Sequence, residues 1–302
     1  MFRRRHASAC LFLVALILIA ACGGGASAGS PGRALKVVAG ENFWGSIARQ
    51  LVGEHGTVQS VVTDPNADPH QYESSPNDAR AFADADLVIL NGAGYDDWGK
   101  KLLEANPSSS RRVLTVAGLL GKKSGDNPHF WYDPQVVGKV ADALTDAYKS
   151  KDPNSADYFS GRRSAFDDAL QPYRAKIAAI KQKFSGVPVG STESIFVYTA
   201  HALGLELVSP PEFMQAVSEG NDPPAATVAT FHDQVTQKRV KALVYNIQTS
   251  TLITTNIKNL ANASGVPVVG VSETMQPDNT TFQDWQLAQL VQLEQKLAGA
   301  GP

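Results

Sequence analysis

The sequence predicts an α/β protein of two α/β domains with mainly parallel sheets, joined by one long helix. Three observations predict it. From Leu35 onward, short apolar runs alternate with longer amphipathic segments, and strands that alternate with helices form parallel sheets through right-handed crossovers. Near the middle one apolar stripe at helical spacing, Phe166, Leu170, Tyr173, Ile177, Ile180 and Phe184, interrupts that alternation. The 302 residues, 43% hydrophobic and 19% charged, are enough for two domains of ordinary size with buried cores.

Residues 1–21 read as an export signal. Arg3, Arg4 and Arg5 precede an apolar run over 9–21 that is too short to span a bilayer as an ordinary helix. Residues 18–22, Leu-Ile-Ala-Ala-Cys, resemble a bacterial lipobox, in which Cys22 would be acylated and become the new N-terminus. Residues 22–33 then form a Gly/Ser/Ala-rich tether. The expected location is the outer face of the cytoplasmic membrane, anchored by lipid through Cys22; the other reading is a soluble secreted protein with a chance cysteine at the cleavage site. Cys10 and Cys22 are the only cysteines, so the mature domains have no pair to oxidise and no thiolate to offer a metal.

The first domain is expected over 34–153. Strands fall at 35–40, 58–63, 87–90 and 113–116, and helices at 43–52, 78–84 and 98–103. Residues 118–127 are a loop leading to His129, and a helix through Val136, Val140, Leu144 and Tyr148 closes the domain. The linker, 154–185, contains one helix from 155 to 184, about 45 Å long at about 1.5 Å per residue and bent at Pro172. The second domain, 186–302, repeats the alternation with strands at 187–190, 205–208, 241–245 and 266–271 and helices at 195–203, 226–237, 252–264 and 285–297.

The net charge of −2 carries no basic stripe, which argues against nucleic acid as a partner. The chemistry is concentrated in two loops. His129 sits in Asn127-Pro128-His129-Phe130-Trp131-Tyr132-Asp133-Pro134, held by prolines that keep the segment from being helical throughout. His70 sits in Asp68-Pro69-His70. Both lie beyond the carboxyl ends of strands, where parallel sheets bind ligands. Two imidazoles leave a divalent cation under-coordinated, and Glu193 and Glu273 follow strands of the second half at a similar offset. Four such side chains, two from each domain, would converge on the cleft between them. An oxygen and nitrogen set without sulfur suits manganese, zinc or ferrous iron, and two carboxylates with two neutral imidazoles cancel a double positive charge. Each residue also has a plainer use: a loop histidine can cap a turn, Glu193 suits a helix N-terminus, and Glu273 suits a solvated loop. Trp131 and Tyr132 are expected to brace His129. His55, His201 and His232 carry no supporting pattern.

Together with the long helix and the lipobox, the two histidine segments, from Asp68 to Glu73 and from Asn127 to Pro134, resemble the zinc/manganese solute-binding lipoproteins of bacterial ABC importers, the TroA-like superfamily. The resemblance covers the whole chain. It implies two α/β domains on a rigid helix, with one metal ion buried between them as cargo for a membrane permease. It also implies His70 and His129 as the first two ligands and Glu193 as the third, at a position where zinc-type members tend to have His and manganese-type members Glu. Glu273 stands where Asp is usual. Asn246 replaces a Glu often found there and is not counted as a ligand. Donor hardness, and the absence of a His-rich insertion over 118–127, lean to manganese; intrinsic affinity leans to zinc, and iron stays open. The expected protein is a monomeric receptor, not an enzyme. A zinc-dependent extracellular hydrolase is the alternative, yet the chain has no His-Glu-x-x-His pair, and its Gly-x-Ser-x-Gly match, residues 25–29, lies in the tether and not at a strand-to-helix turn. An adhesin role has no sequence feature of its own.

Overall fold

The computed structural model describes residues 33–66, 69–277 and 279–299. The expected signal peptide, Cys22 and Asp68 lie outside the described residues. Strands β1 (Leu35–Glu41), β2 (Gly56–Val62), β3 (Leu87–Leu90) and β4 (Arg112–Thr115) form one sheet in the order β2-β1-β3-β4, with every pairing parallel. Strands β5 (Pro188–Ser191), β6 (Glu206–Leu207), β7 (Leu243–Asn246) and β8 (Val268–Val271) form a second parallel sheet in the order β6-β5-β7-β8. The same order is used twice, although no sequence repeat announces it.

Helices connect the strands, as parallel pairing requires. In the first half these are α1 (Asn42–Val52), α2 (Pro76–Asp84), α3 (Asp97–Ala105), the single turn α4 (Val116–Leu119) and α5 (Pro134–Lys151). Local chemistry sets their starts. Ser75 and Asp78 make a reciprocal capping box at α2, and at α5 the Asp133 side chain accepts from the Gln135 N–H while Pro134 fills the first turn. All four residues of β3, Leu-Val-Ile-Leu, are buried, as expected of a strand covered on both faces. Helix α1 lies close against the sheet at Gly45, where a Cβ would meet Ser60 Oγ at 2.0 Å.

The continuous helix expected over 155–184 is two helices, α6 (Ala156–Ala169) and α7 (Gln171–Phe184), meeting at Leu170 with φ −77° and ψ −11°. Pro172 explains the position. It has no N–H to give the preceding turn, so the break falls just upstream and leaves the proline in the first turn of α7, where no donor is needed. The apolar stripe still works as one face: Phe166, Leu170, Tyr173 and Ile180 are buried, with Ile177 and Phe184 against the same core.

The second half carries α8 (Val197–Leu203), α9 (Pro211–Ser218), α10 (Ala225–Thr236), α11 (Leu252–Ala263) and α12 (Phe282–Gly299). Gly204, at φ 67°, ends α8 in the left-handed conformation that favours glycine. Helix α9 departs from the sequence expectation. It opens on Pro211 and buries Phe213, Met214 and Val217, too few apolar residues to show a period by themselves. One hydrophobic cluster runs from Val37 and Ile89 of the first sheet, through α1, α5 and α7, to Val189, Val244 and Val269 of the second. No helix among the described residues is long and apolar enough to cross a membrane.

Candidate metal centre

The centre forms where segments beyond the strand ends meet. His70 lies in the 3₁₀ turn Pro69–Gln71 after β2, and His129 immediately precedes the 3₁₀ turn Phe130–Tyr132. Glu193 and Glu273 each stand two residues past a strand, β5 and β8 respectively. One donor atom from each of the four lies within 4.8 Å of all the others. His129 Nε2 is 3.0 Å from Glu193 Oε1 and 4.0 Å from Glu273 Oε2, while His70 Nε2 is 3.3 Å from Glu273 Oε2. The side chains of His129, Glu193 and Glu273 are completely buried, and that of His70 is 18% exposed, facing a cavity of about 600 Å³.

These distances fit a small dication. Four ligands at about 2.0–2.1 Å from a tetrahedral ion stand ~3.3 Å apart, within the spread observed. His129 Nε2 and Glu193 Oε1 provide a second test: both are buried and neither has a hydrogen-bond partner, although they face each other. Buried polar atoms are normally satisfied, and a cation between two lone pairs would satisfy both.

Each donor is aimed by a partner. Asn127 Oδ1 accepts from the His129 backbone N–H at 3.1 Å and lies 2.8 Å from its Nδ1. The Asn127 amide is oriented because its Nδ2 donates to the Ser194 carbonyl at 2.8 Å. Nδ1 of His129 therefore carries the proton, and Nε2 turns its lone pair to the centre. Trp131 braces the ring edge-on with centroids 5.2 Å apart. Tyr95 sits edge-on to His70 at 4.8 Å and donates its hydroxyl to Glu273 Oε2 at 2.7 Å.

The carboxylates are held by the second sheet. Asn246 Nδ2 donates to Glu193 Oε2 and, at 2.7 Å, to Glu273 Oε1. Thr249 Oγ1 donates to Glu273 Oε1 at 3.1 Å. Gln248 Oε1 accepts the backbone N–H groups of Glu273 and Thr274 at 2.7 and 2.9 Å. Burial by itself would raise the Glu273 pKa, but His70 first, then His129 and the Tyr95 hydroxyl, hold it below the ordinary carboxylate range. Burial, with the Glu273 charge beside it, pushes the Tyr95 phenol well up and keeps it a donor.

Sequence reasoning missed Asn127 as the residue that fixes the His129 tautomer, and missed Tyr95, Thr249 and Gln248; it noted Asn246 without a role. It also missed Glu41, the buried last residue of β1. Burial drives its carboxyl well up, and the charge of Asp96 adds to the effect, while Asp96 itself accepts the Asn91 and Gly92 N–H groups at 2.6 and 2.7 Å. Asn127 had a visible signal, since it begins the proline-braced segment. The others had none, because their partners are remote in the chain. His55 stacks on Tyr158 at 4.1 Å and faces Asp152, away from the four.

Comparison with known proteins agrees with this architecture. A family model described as the zinc-uptake complex component A, periplasmic, matches residues 37–296. The manganese-binding lipoprotein MntA of Halalkalibacterium halodurans is 27% identical over 208 residues, covering 65% of this chain and 68% of that protein. The manganese ABC transporter substrate-binding lipoprotein PsaA of Streptococcus mitis is 26% identical over 251 residues, covering 77% and 78%. Among solved structures, a manganese-bound periplasmic metal-binding protein from Candidatus Liberibacter asiaticus gives a TM-score of 0.72 at 17% identity, covering 86% of this chain and 98% of that one. A crystal structure of ZnuA gives 0.71 at 22% identity, covering 89% and 100%. At these identities the structural likeness concerns the fold.

Proposed function

The chain belongs to the family of the zinc-uptake complex component A, and we propose that it is an exported receptor that binds one divalent transition metal ion, manganese or zinc, and delivers it to the permease of an ABC importer. The observation that carries this reading is the convergence of His70, His129, Glu193 and Glu273 within 4.8 Å. Four protein donors complete a tetrahedral shell and leave no position for an attacking water, which favours a carrier over a hydrolase. Relatives named as lipoproteins support a lipid anchor at Cys22 on the outer face of the cytoplasmic membrane. The protein is proposed to act as a monomer, with domains at 34–153 and 186–302 and a linker at 154–185.

The division of donors supplies a mechanism. Histidines come from segments of the first half and carboxylates from segments of the second, so an ion held by all four ties the halves together. Separation of the halves would leave either two histidines or two carboxylates, and affinity would fall at once. Groups that cross the same boundary, such as Tyr132 donating to the Ser272 carbonyl at 2.7 Å and Thr199 donating to the Tyr132 carbonyl at 2.9 Å, would hold the closed form.

The test is the metal content of the purified mature chain after competitive loading with manganese and zinc, repeated for His129→Ala, Glu193→Ala and Glu273→Ala. One equivalent in the parent and none in the histidine variant is expected. No metal in the parent would end the receptor reading; unchanged binding in both glutamate variants would remove the second half from the site.

A further inference from the structure

We propose that Asn246 limits each carboxylate to one metal-facing oxygen and so makes the centre selective for a four-coordinate ion, zinc, over manganese. The inference rests on the metal-receptor reading and extends it to the identity of the metal. It begins with topology. In the second sheet β7 lies between β5 and β8. Glu193 follows β5, Glu273 follows β8, and Asn246 is the last residue of β7, so sheet order puts one amide between two acids.

An account of lone pairs gives the consequence. Each carboxylate oxygen has two. Glu273 Oε1 accepts from Asn246 Nδ2 and from Thr249 Oγ1, and both of its lone pairs are used. Glu273 Oε2 gives one to Tyr95 at 2.7 Å and keeps the other on the side of His70 and His129. Glu193 Oε2 accepts from Asn246, whereas Oε1 has no hydrogen-bond partner and faces His129 Nε2. By this count Glu193 Oε2 also keeps one lone pair, but Asn246 holds that oxygen at the end of β7, so a single oxygen of each glutamate, Oε1 of Glu193 and Oε2 of Glu273, faces the histidines. The amide cannot turn over to release them, because its Oδ1 accepts the Gln248 N–H at 3.0 Å, and a flip would aim oxygen at two carboxylates.

Two imidazole nitrogens and two single oxygens make four donors. That number satisfies zinc, which takes tetrahedral nitrogen and oxygen sites readily. Manganese is suited by octahedral oxygen-rich sites. Here it would need the second carboxylate oxygens, which Asn246 occupies, or water drawn past His70 from the adjoining cavity. Counting donor types leans to manganese; counting the oxygens that face the histidines reverses the preference.

The experiment uses the mature protein loaded with cobalt(II) or zinc, and competition between zinc and manganese. The parent is expected to give the intense visible bands of four-coordinate cobalt, four nitrogen or oxygen neighbours by zinc X-ray absorption, and a preference for zinc. Asn246→Ala and Asn246→Ser free the outer oxygens. In these variants the cobalt bands should weaken, the neighbour count should rise, and the zinc-over-manganese ratio should narrow by about tenfold, the lower end of what loss of a group behind a ligand costs. Six neighbours in the parent would overturn the proposal, as would unchanged bands and ratio in variants that still bind metal. Should neither variant fold, the parent spectra decide between four and six. A parent that binds no metal defeats the receptor reading itself, which is a different result from metal bound with the wrong coordination number.

Discussion

The two histidines and the two glutamates meet at one point, but they are held there by different means. His129 is fixed mainly by its own segment: Asn127, two residues upstream, positions its backbone and ring, and Trp131, two residues downstream, braces the imidazole. Glu273 is fixed by Tyr95, 178 positions away, and by Asn246, 27 positions away. Glu193 is likewise held by Asn246, at a separation of 53. Histidine geometry is therefore a property of a loop, and carboxylate geometry a property of the assembled fold. Even the loop is not wholly independent, since Asn127 is anchored across the boundary by Ser194 and by the Tyr198 hydroxyl at 2.8 Å.

The largest effect should come from breaking the local side. His129→Ala removes a fully buried proposed ligand and is expected to weaken metal binding by about a thousandfold, roughly 4 kcal/mol, as read by isothermal titration against a chelator; a loss under tenfold would mean that the remote half carries the site. Next is the coupling of metal to the whole fold. Because the four donors come from both halves, metal at a free concentration of 100 times its Kd should stabilise the protein by about 2.7 kcal/mol, measured as a rise in urea midpoint that chelation reverses. An unchanged midpoint would show that the metal does not bind the folded protein in preference to the unfolded chain.

Asn127→Ala tests how much the loop's own bracing contributes. It keeps all four donors and frees the His129 tautomer, and should cost about 10- to 100-fold in affinity, with nitrogen chemical shifts of the ring showing mixed tautomers. Tyr95→Phe tests the remote side at its weakest link. It removes one hydrogen bond to Glu273 and should cost about fivefold, ~1 kcal/mol, by the same titration. If Tyr95→Phe were the costlier of the two, local bracing would not be the stronger kind.

The same contrast explains what was legible. Strands such as β3 and β7 and helices such as α5 and α11 announce themselves because burial imposes a period or an apolar run on a few consecutive residues. Helix α9 escaped because eight residues, Pro211–Ser218, give too little period. The bend expected at Pro172 is a full break at Leu170, and its extent was hidden because the apolar stripe on either side is continuous. Among the site residues, His70 and His129 were visible through adjacent prolines, and Glu193 and Glu273 through their offset from strand ends. Asn246 was seen only as a departure from the resemblance, and Tyr95 was not seen.

By itself the sequence determined the alternation that makes two parallel sheets, the stripe that makes α6 and α7 one face, and the positions of four donors beyond strand ends. Each follows from residues close together in the chain, where periodicity, proline and burial act locally. Only the tertiary structure decided that β7 lies between β5 and β8, that Asn246 therefore stands between Glu193 and Glu273, and which oxygen of each carboxylate is left for a metal. A lone pair is assigned by whatever donor arrives in space, and those donors arrive from up to 178 positions away, a separation no local pattern records.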